Sequence, residues 1–403
     1  LRLLLFTGKG GAGKTTTAAA TATHAARCGI KTLVISTDAA HSLADVLDMP
    51  VDGPAVAVAP GLFAEQVDTR ARAQRTWQGV QEYLAGVLDE LGVDPLAADD
   101  LAAIPGGEQV LALLEVRDRV REGSWDLVIV DCAPTGETVR LLALPELLGR
   151  LLSRLLPVER RVARAVALGA GPALRRAGVH TPRDHVADSV DRLCAELAET
   201  RTLLTSPSSS VRIVLTPEAV VLAEARRTWT ALSLHGYLVD GVVANRVLAA
   251  GGDAWREGWA ERHARRMAEV EACFAGLPVH TAGYAAVEPS GPAALAELGE
   301  ELYGPAGETG AARLLADPEV SRPPMRVQRA GHDFILELAL PLVARDQVDL
   351  GRAGDELVLE VGEHRRVIGL PSALRRCRVV GARLTDGSLQ VTFTPDPAQW
   401  RPL

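Results

Sequence analysis

Lysine is scarce in this chain. Lys and Arg together number 43 in 403 residues, yet Lys9, Lys14 and Lys31 are the only lysines. Aromatic residues make up 4%, and methionine occurs three times, at Met49, Met267 and Met325. Five cysteines, at 28, 132, 194, 273 and 377, include no C-x-x-C pair. That spacing excludes a disulfide framework and a zinc knuckle. A net charge of −8 gives no support to a nucleic-acid partner. No apolar run reaches the roughly 18 residues of a membrane span, so no stable membrane insertion is expected. Leu1 leads straight into strand-like "LRLLLF" without a signal-peptide pattern, and a cytoplasmic location is expected.

What remains is ordinary for a globular protein, 47% apolar and 23% charged, with length for two or more domains. Short apolar runs at 2–6, 31–37, 125–131, 211–216, 236–245 and 277–281 read as strands. Helical patterns at 14–27, 69–91, 107–122, 184–204, 217–235 and 254–275 separate them. Strands alternating with helices predict an α/β fold, a parallel sheet covered on both faces. The stretch from 141 to 207 interrupts this rhythm with a Leu- and Arg-rich helical region. A Pro-rich connector at 319–325 divides a first domain, 1–318, from a second, 326–395. In the second, Leu389, Val391 and Phe393 alternate with Gln390, Thr392 and Thr394, the period of a small β-sandwich.

Two of the three lysines lie in one glycine-rich loop, "FTGKGGAGKTT" (6–16). Gly8, Lys9, Gly10, Gly11, Ala12, Gly13, Lys14 and Thr15 fit the phosphate-loop pattern G-x-x-x-x-G-K-T, with Thr16 next. Such a loop wraps phosphate oxygens in backbone N–H groups at a helix N-terminus. Lys14 would reach the β/γ-phosphates of ATP, and Thr15 would ligate Mg²⁺. Gly8, Gly10 and Gly13 also fit a dinucleotide fingerprint, with Asp38 as its ribose-binding acid. Against that reading, a dinucleotide turn needs neither lysine nor a threonine metal ligand. Asp131 moreover ends the apolar strand "LVIVD", where a phosphate-loop enzyme keeps the acid that holds magnesium waters.

Lys9 can hardly duplicate Lys14 on the same phosphates. The loop "KGGAGKTT" resembles the deviant Walker A motif of the MinD, ParA and nitrogenase-iron-protein class, in which that first lysine crosses a dimer interface. "STDAAHSLADVL" (36–47), "IPGGEQVLALLEV" (104–116), "DCAPTGETVRLLALP" (131–145), "LTPEAVVLAEARR" (215–227) and "VVANRVL" (242–248) are similar to the ArsA/Get3 family. That family contains arsenical pump ATPases and targeting factors for tail-anchored membrane proteins. The resemblance implies an ATP- and Mg²⁺-dependent homodimer. It implies that Asp38 polarises the attacking water, that Thr15 binds Mg²⁺, and that Asp131 acts on Mg²⁺ through water. It also implies that Asn245 contacts adenine and that Glu218 approaches nucleotide at the interface. Asn245 equally suits a strand-end cap, and Glu218 a helix first turn favoured by the dipole.

The C-terminal pieces "GDELVLEVGEHRRVIGLP" and "GARLTDGSLQVTF" resemble the α-crystallin-like (Hsp20-type) domain attached to some members of that family. The tail lacks the I-x-I motif of small heat-shock proteins, so large assemblies are not expected. A lone Cys273 gives no zinc clasp, so zinc is not expected. Electron transfer through an iron–sulfur cluster would need two cysteines near the dimer axis, and Cys132 alone lies near a switch. Three functions stay open. The first is a chaperone or targeting factor that holds a hydrophobic, transmembrane-type segment on the leucines of 141–207. The second is a metalloid pump ATPase, and the third a MinD-like partitioning ATPase. Those leucines equally suit a packed helical core.

Overall fold

The computed structural model describes residues 1–38, 42–51, 54–67, 107–132, 184–317 and 324–398. The helical pattern at 69–91 and most of the Leu-rich region at 141–207 lie outside them.

Elements are numbered in chain order within those residues. β1 (Arg2–Gly8) is followed by α1 (Lys14–Arg27), β2 (Thr32–Ser36), α2 (Ser42–Leu47), β3 (Val56–Ala59) and β4 (Leu62–Gln66). Next come α3 (Gly107–Arg121), β5 (Leu127–Asp131), α4 (Asp184–Leu204), β6 (Ser209–Leu215), α5 (Ala219–Leu234) and β7 (Val239–Val247). The unit closes with α6 (Ala254–Cys273), β8 (Val279–Gly283), α7 (Gly291–Tyr303) and α8 (Glu308–Leu315). The eight strands form one sheet in the order β3-β4-β2-β5-β1-β6-β7-β8. All neighbours are parallel except β3 and β4 at the edge.

The uninterrupted apolar runs of the central strands follow from burial on both faces. Along β1, Leu3 and Leu5 join one core while Leu4 and Phe6 join the other. β5 divides likewise, with Val128 and Val130 on one side and Leu127 and Ile129 on the other. α1 packs its alanines Ala18, Ala19, Ala22 and Ala25 flat on the second face, all fully buried. Small side chains there bring the helix close to the sheet, so the loop preceding it has a fixed origin. The parallel sheet expected from the pattern is present. The β3–β4 hairpin turning at Pro60–Gly61 was not anticipated, nor were α7 and α8.

The C-terminal unit contains β9 (Met325–Ala330), β10 (Asp333–Ala339), β11 (Val348–Ala353), β12 (Glu356–Val361), β13 (His364–Gly369), α9 (Ser372–Arg375), β14 (Cys377–Thr385) and β15 (Ser388–Pro395). A four-stranded sheet, β14-β15-β10-β9, faces a three-stranded one, β11-β12-β13. Leu389, Val391 and Phe393 point into their shared core, as the period of two requires. Leu389 and Val391 pair in register with Leu338 and Leu336 of β10. Leu234, the last residue of α5, belongs to this same core. Thr230 Oγ1 donates to Pro341 O (2.8 Å), and the buried Arg366 donates to Leu234 O. One helix thus ends inside the second unit.

Three histidines, His24, His263 and His280, are held below their ordinary pKa, chiefly by burial. His280 is pushed down to about 4, with Arg212 adding to the effect of burial. The unfolded side chain titrates near 6.5. The folded state therefore keeps His280 neutral where the unfolded state takes a proton. Its stabilising contribution is complete above about pH 6.5 and is lost as pH falls toward 4. We expect His280→Phe to flatten this loss. The urea midpoint difference between pH 7 and pH 4.5 should shrink by an amount equivalent to on the order of 2 kcal/mol, discounted for partial exposure of the ring. An unchanged difference would show that other groups set the acid limb.

Candidate active site

The glycine-rich loop joins β1 to α1. Gly8 ends β1 where the chain crosses β6 closely, and a Cβ there would lie 2.1 Å from Val214 O. The Ala12 N–H donates to Lys9 O (3.1 Å) and tightens the loop. Gly13 caps α1 at φ +92°, in the left-handed region. A side chain there would also lie 2.2 Å from Asn245 Nδ2. α1 has no acidic residue in its first turn. Its positive end is left to an incoming anion. The Lys14 side chain is buried behind the loop.

Below Thr15, the carboxyl ends of β2 and β5 lie side by side, with Ser36 and Asp131 in register. Ser36 Oγ donates to Asp131 Oδ2 (3.2 Å), and Thr15 Oγ1 lies 3.1 Å from Ser42 Oγ. Asp131 is fully buried, and its Oδ1 has no hydrogen-bond partner among the described residues. Burial pushes its carboxyl up to about 6; Thr15 and Lys14 oppose the rise and Asp38 adds to it. A buried carboxylate oxygen without a partner, beside two hydroxyls, is a hard oxygen donor set. It fits Mg²⁺ and its waters better than a soft ion. Asp38 follows β2 directly. Its N–H donates to Ser36 Oγ (3.3 Å), and its carbonyl accepts from Gln66 Nε2 (2.9 Å).

β7 closes the loop from the other side. Asn245 Nδ2 donates to Ala12 O (2.9 Å), and Asn245 Oδ1 accepts from the Arg246 N–H (2.9 Å). Each end of the amide keeps one further hydrogen-bonding position. Arg246 sits at φ +57°, and its Nη1 donates to Gly11 O (3.0 Å). Glu218 is exposed at the start of α5, where Thr216 Oγ1 donates to its Oε1 (3.2 Å). Lys9 does not lie idle: its Nζ is 3.0 Å from Glu224 Oε2 of the same chain, farther along α5.

The structure gathers residues 8–16, Asp38, Asp131 and Asn245 around one loop. Glu218 takes the helix-start position. Sequence reasoning missed Ser36, Ser42, Gln66, Glu224 and Arg246. Arg246 could have been suspected from its place beside Asn245. Gln66 became visible only with the β3–β4 hairpin.

With this arrangement in view, the comparisons are decisive about family. A family model described as "Anion-transporting ATPase" matches residues 1–304, and one described as "HSP20-like domain found in ArsA" matches residues 331–393. The chain is 31% identical over 395 residues to a putative arsenical pump-driving ATPase of Prosthecochloris vibrioformis, covering 98% of this chain and 96% of that one. An uncharacterized protein of Streptomyces coelicolor is 35% identical over 405 residues, 99% of each chain. An ATPase ASNA1 homologue of Paramecium tetraurelia is 32% identical over 161 residues, 40% of this chain and 49% of its own. The fold and loop define a phosphate-loop ATPase. The chain belongs to the ArsA ATPase family and carries the HSP20-like domain found in some of its members.

Proposed function

We propose that this ATPase works as a Mg²⁺-dependent homodimer that binds a hydrophobic polypeptide segment while ATP holds the dimer closed. The observation that carries the dimer is Lys9. It stands on the face of the phosphate loop, 41% exposed. Val220, Trp255 and Tyr284 follow the carboxyl ends of β6, β7 and β8 on the same edge of the sheet, and all are exposed. Large apolar side chains exposed along a nucleotide edge suit burial against a second copy. In this reading Thr15 binds Mg²⁺, Asp131 holds its waters and Asp38 orients the attacking water. Mg²⁺ supplies charge neutralisation at the phosphates. Lys14 binds the phosphates of its own subunit.

Asn245 has two jobs to separate. If its amide reads adenine as well as holding Ala12 O, Asn245→Ala weakens both nucleotides through the loop but ATP roughly tenfold more than GTP. Equal weakening of both nucleotides in a binding titration would reduce Asn245 to a loop support.

Against a metalloid role stands the cysteine chemistry. Cys132 is fully buried, and burial pushes its thiol up, away from the thiolate that a soft ion requires. Among the described residues no cluster of three or more His, Cys, Asp or Glu could hold a metal. No described helix is long and apolar enough to cross a membrane. The printed name of the Prosthecochloris relative keeps the pump reading as the alternative. One experiment separates the two: ATP turnover with arsenite, set beside capture of a transmembrane-type peptide in the presence of ATP. We expect peptide capture and nearly unchanged turnover. Severalfold stimulation by arsenite without capture would put the pump first.

A further inference from the structure

The end of the sheet opposite the phosphate loop holds a cavity of about 1030 Å³, at the junction with the β-sandwich. Arg212 and Asp240, near the starts of β6 and β7, lie on its floor, with Tyr303 and His280. Trp229, Leu277 and Leu314 line its walls, and Pro341 and Leu342 of the sandwich face them. The volume is that of a site for a sizeable small molecule.

Two guanidinium groups meet one carboxylate on the floor. Arg212 donates to both oxygens of Asp240 (3.3 Å each) and to the Tyr303 hydroxyl (3.1 Å). Arg2 donates to the same Asp240 carboxylate (3.2 Å). Two guanidinium groups, 3% and 7% exposed, therefore share one carboxylate. Burial lowers the pKa of Arg2 and Arg212 adds to this, while Asp240 and Asp317 oppose it; Asp240 and Tyr303 hold the Arg212 guanidinium charged against burial. His280 supplies no charge, since its pKa near 4 keeps it neutral. Its Nδ1 lies 3.1 Å from Leu302 O. Arg313, Asp317 and Asp386 stand at the rim, all exposed. A guanidinium carries five N–H donors, so the three bonds of Arg212 leave two uncommitted. At the mouth, Leu342 is held at φ +63° with 37% of its surface exposed.

We propose that this cavity binds an anionic amphiphile of the fatty-carboxylate class. The carboxylate meets the uncommitted N–H groups of Arg212. The apolar chain lies along Trp229, Leu277 and Leu314 toward Leu342. Buried N–H donors left unsatisfied are costly, and a monoanion meets the two that Arg212 keeps with a bidentate contact. The apolar walls argue against inorganic phosphate, which needs polar contacts on every side.

The test uses the full chain and calorimetric titration with decanoate, decanol, decyltrimethylammonium and acetate. Decanoate should bind saturably, one molecule per chain, and the other three at least roughly tenfold more weakly. Ser233 lines the cavity from α5, and Ser233→Trp should obstruct it and abolish decanoate binding while ATP still turns over. Ala275→Trp, at the exposed rim, should weaken binding as well. Arg212→Gln should remove the preference for decanoate over decanol. The ligand series on the unaltered protein decides the matter even if a variant fails to fold. No saturable decanoate binding, equal binding of decanol, or binding that survives Ser233→Trp in a folded variant would each overturn the proposal.

Discussion

Asp38→Asn retains ATP and loses turnover by roughly two orders of magnitude or more. The substitution keeps the shape of the side chain and removes the charge proposed to orient water. The backbone around it should not move. The Asp38 N–H and carbonyl are held by Ser36 and Gln66, and neither bond involves the carboxylate. Loss of rate therefore reports chemistry rather than a displaced loop. Lys14→Ala is the contrasting variant. It removes the buried countercharge of the phosphates, so binding itself weakens. Measured side by side, ATP affinity should fall only for Lys14→Ala, and single-turnover rate should fall for Asp38→Asn with affinity intact. Parental turnover by Asp38→Asn would remove that residue from the mechanism.

In the homodimer proposed above, Lys9→Ala should abolish closure, whereas Glu224→Gln should favour it slightly. The two expectations differ in size for a physical reason. The Lys9–Glu224 pair is partly exposed on both sides, 41% and 23%. An exposed pair of this kind is worth no more than roughly 1 kcal/mol, about fivefold in an equilibrium. It holds the lysine near its own subunit without trapping it. Releasing it should therefore tighten ATP-dependent dimerisation by at most about that factor. Deleting the lysine removes a charge from a desolvated phosphate site, where the loss is far larger. Lys9→Arg should fail too, because a planar fork replaces a compact ammonium. Mixed dimers of Lys9→Ala and Lys14→Ala subunits distinguish the two geometries. If Lys9 crosses the interface, one of the two sites retains both lysines and activity returns in the mixture. If it serves its own subunit, neither site is complete and the mixture stays inactive. Dimers that form with ATP whether or not Lys9 is present would leave its pairing with Glu224 as a surface ornament.

Much of this site can be read from local patterns, because a phosphate loop is local chemistry. Residues 8–16 are contiguous, and Asp38 and Asp131 each follow an apolar strand. Burial on both faces makes β1, β2 and β5 conspicuous as runs of Leu, Ile and Val. The β3–β4 hairpin has no such signature, since β3 is an edge strand with only partly buried or exposed residues. With it went Gln66. Glu224 sits on a helix face among other charges, and nothing in its neighbourhood marks it for Lys9. The Arg2–Asp240–Arg212 cluster spans 238 residues of sequence, and only the sheet order brings its members together. The expected client-binding leucines at 148, 151, 152 and 155 lie outside the described residues.

The seating of Leu234 in the sandwich core has a practical consequence for anyone dividing the chain. The Pro-rich connector invites a cut there, yet the two halves share a side chain. An isolated ATPase unit would present Leu234 to water at the end of α5, beside a Thr230 hydroxyl deprived of Pro341 O. An isolated sandwich would hold a vacancy in its core where Leu234 had been, and its Arg366 would lose the Leu234 carbonyl. Each fragment is a lock without its bolt. Sticky or poorly behaved halves would thus be a property of the cut, and the helix that reaches from the nucleotide edge into the second unit makes the two inherit one another's stability.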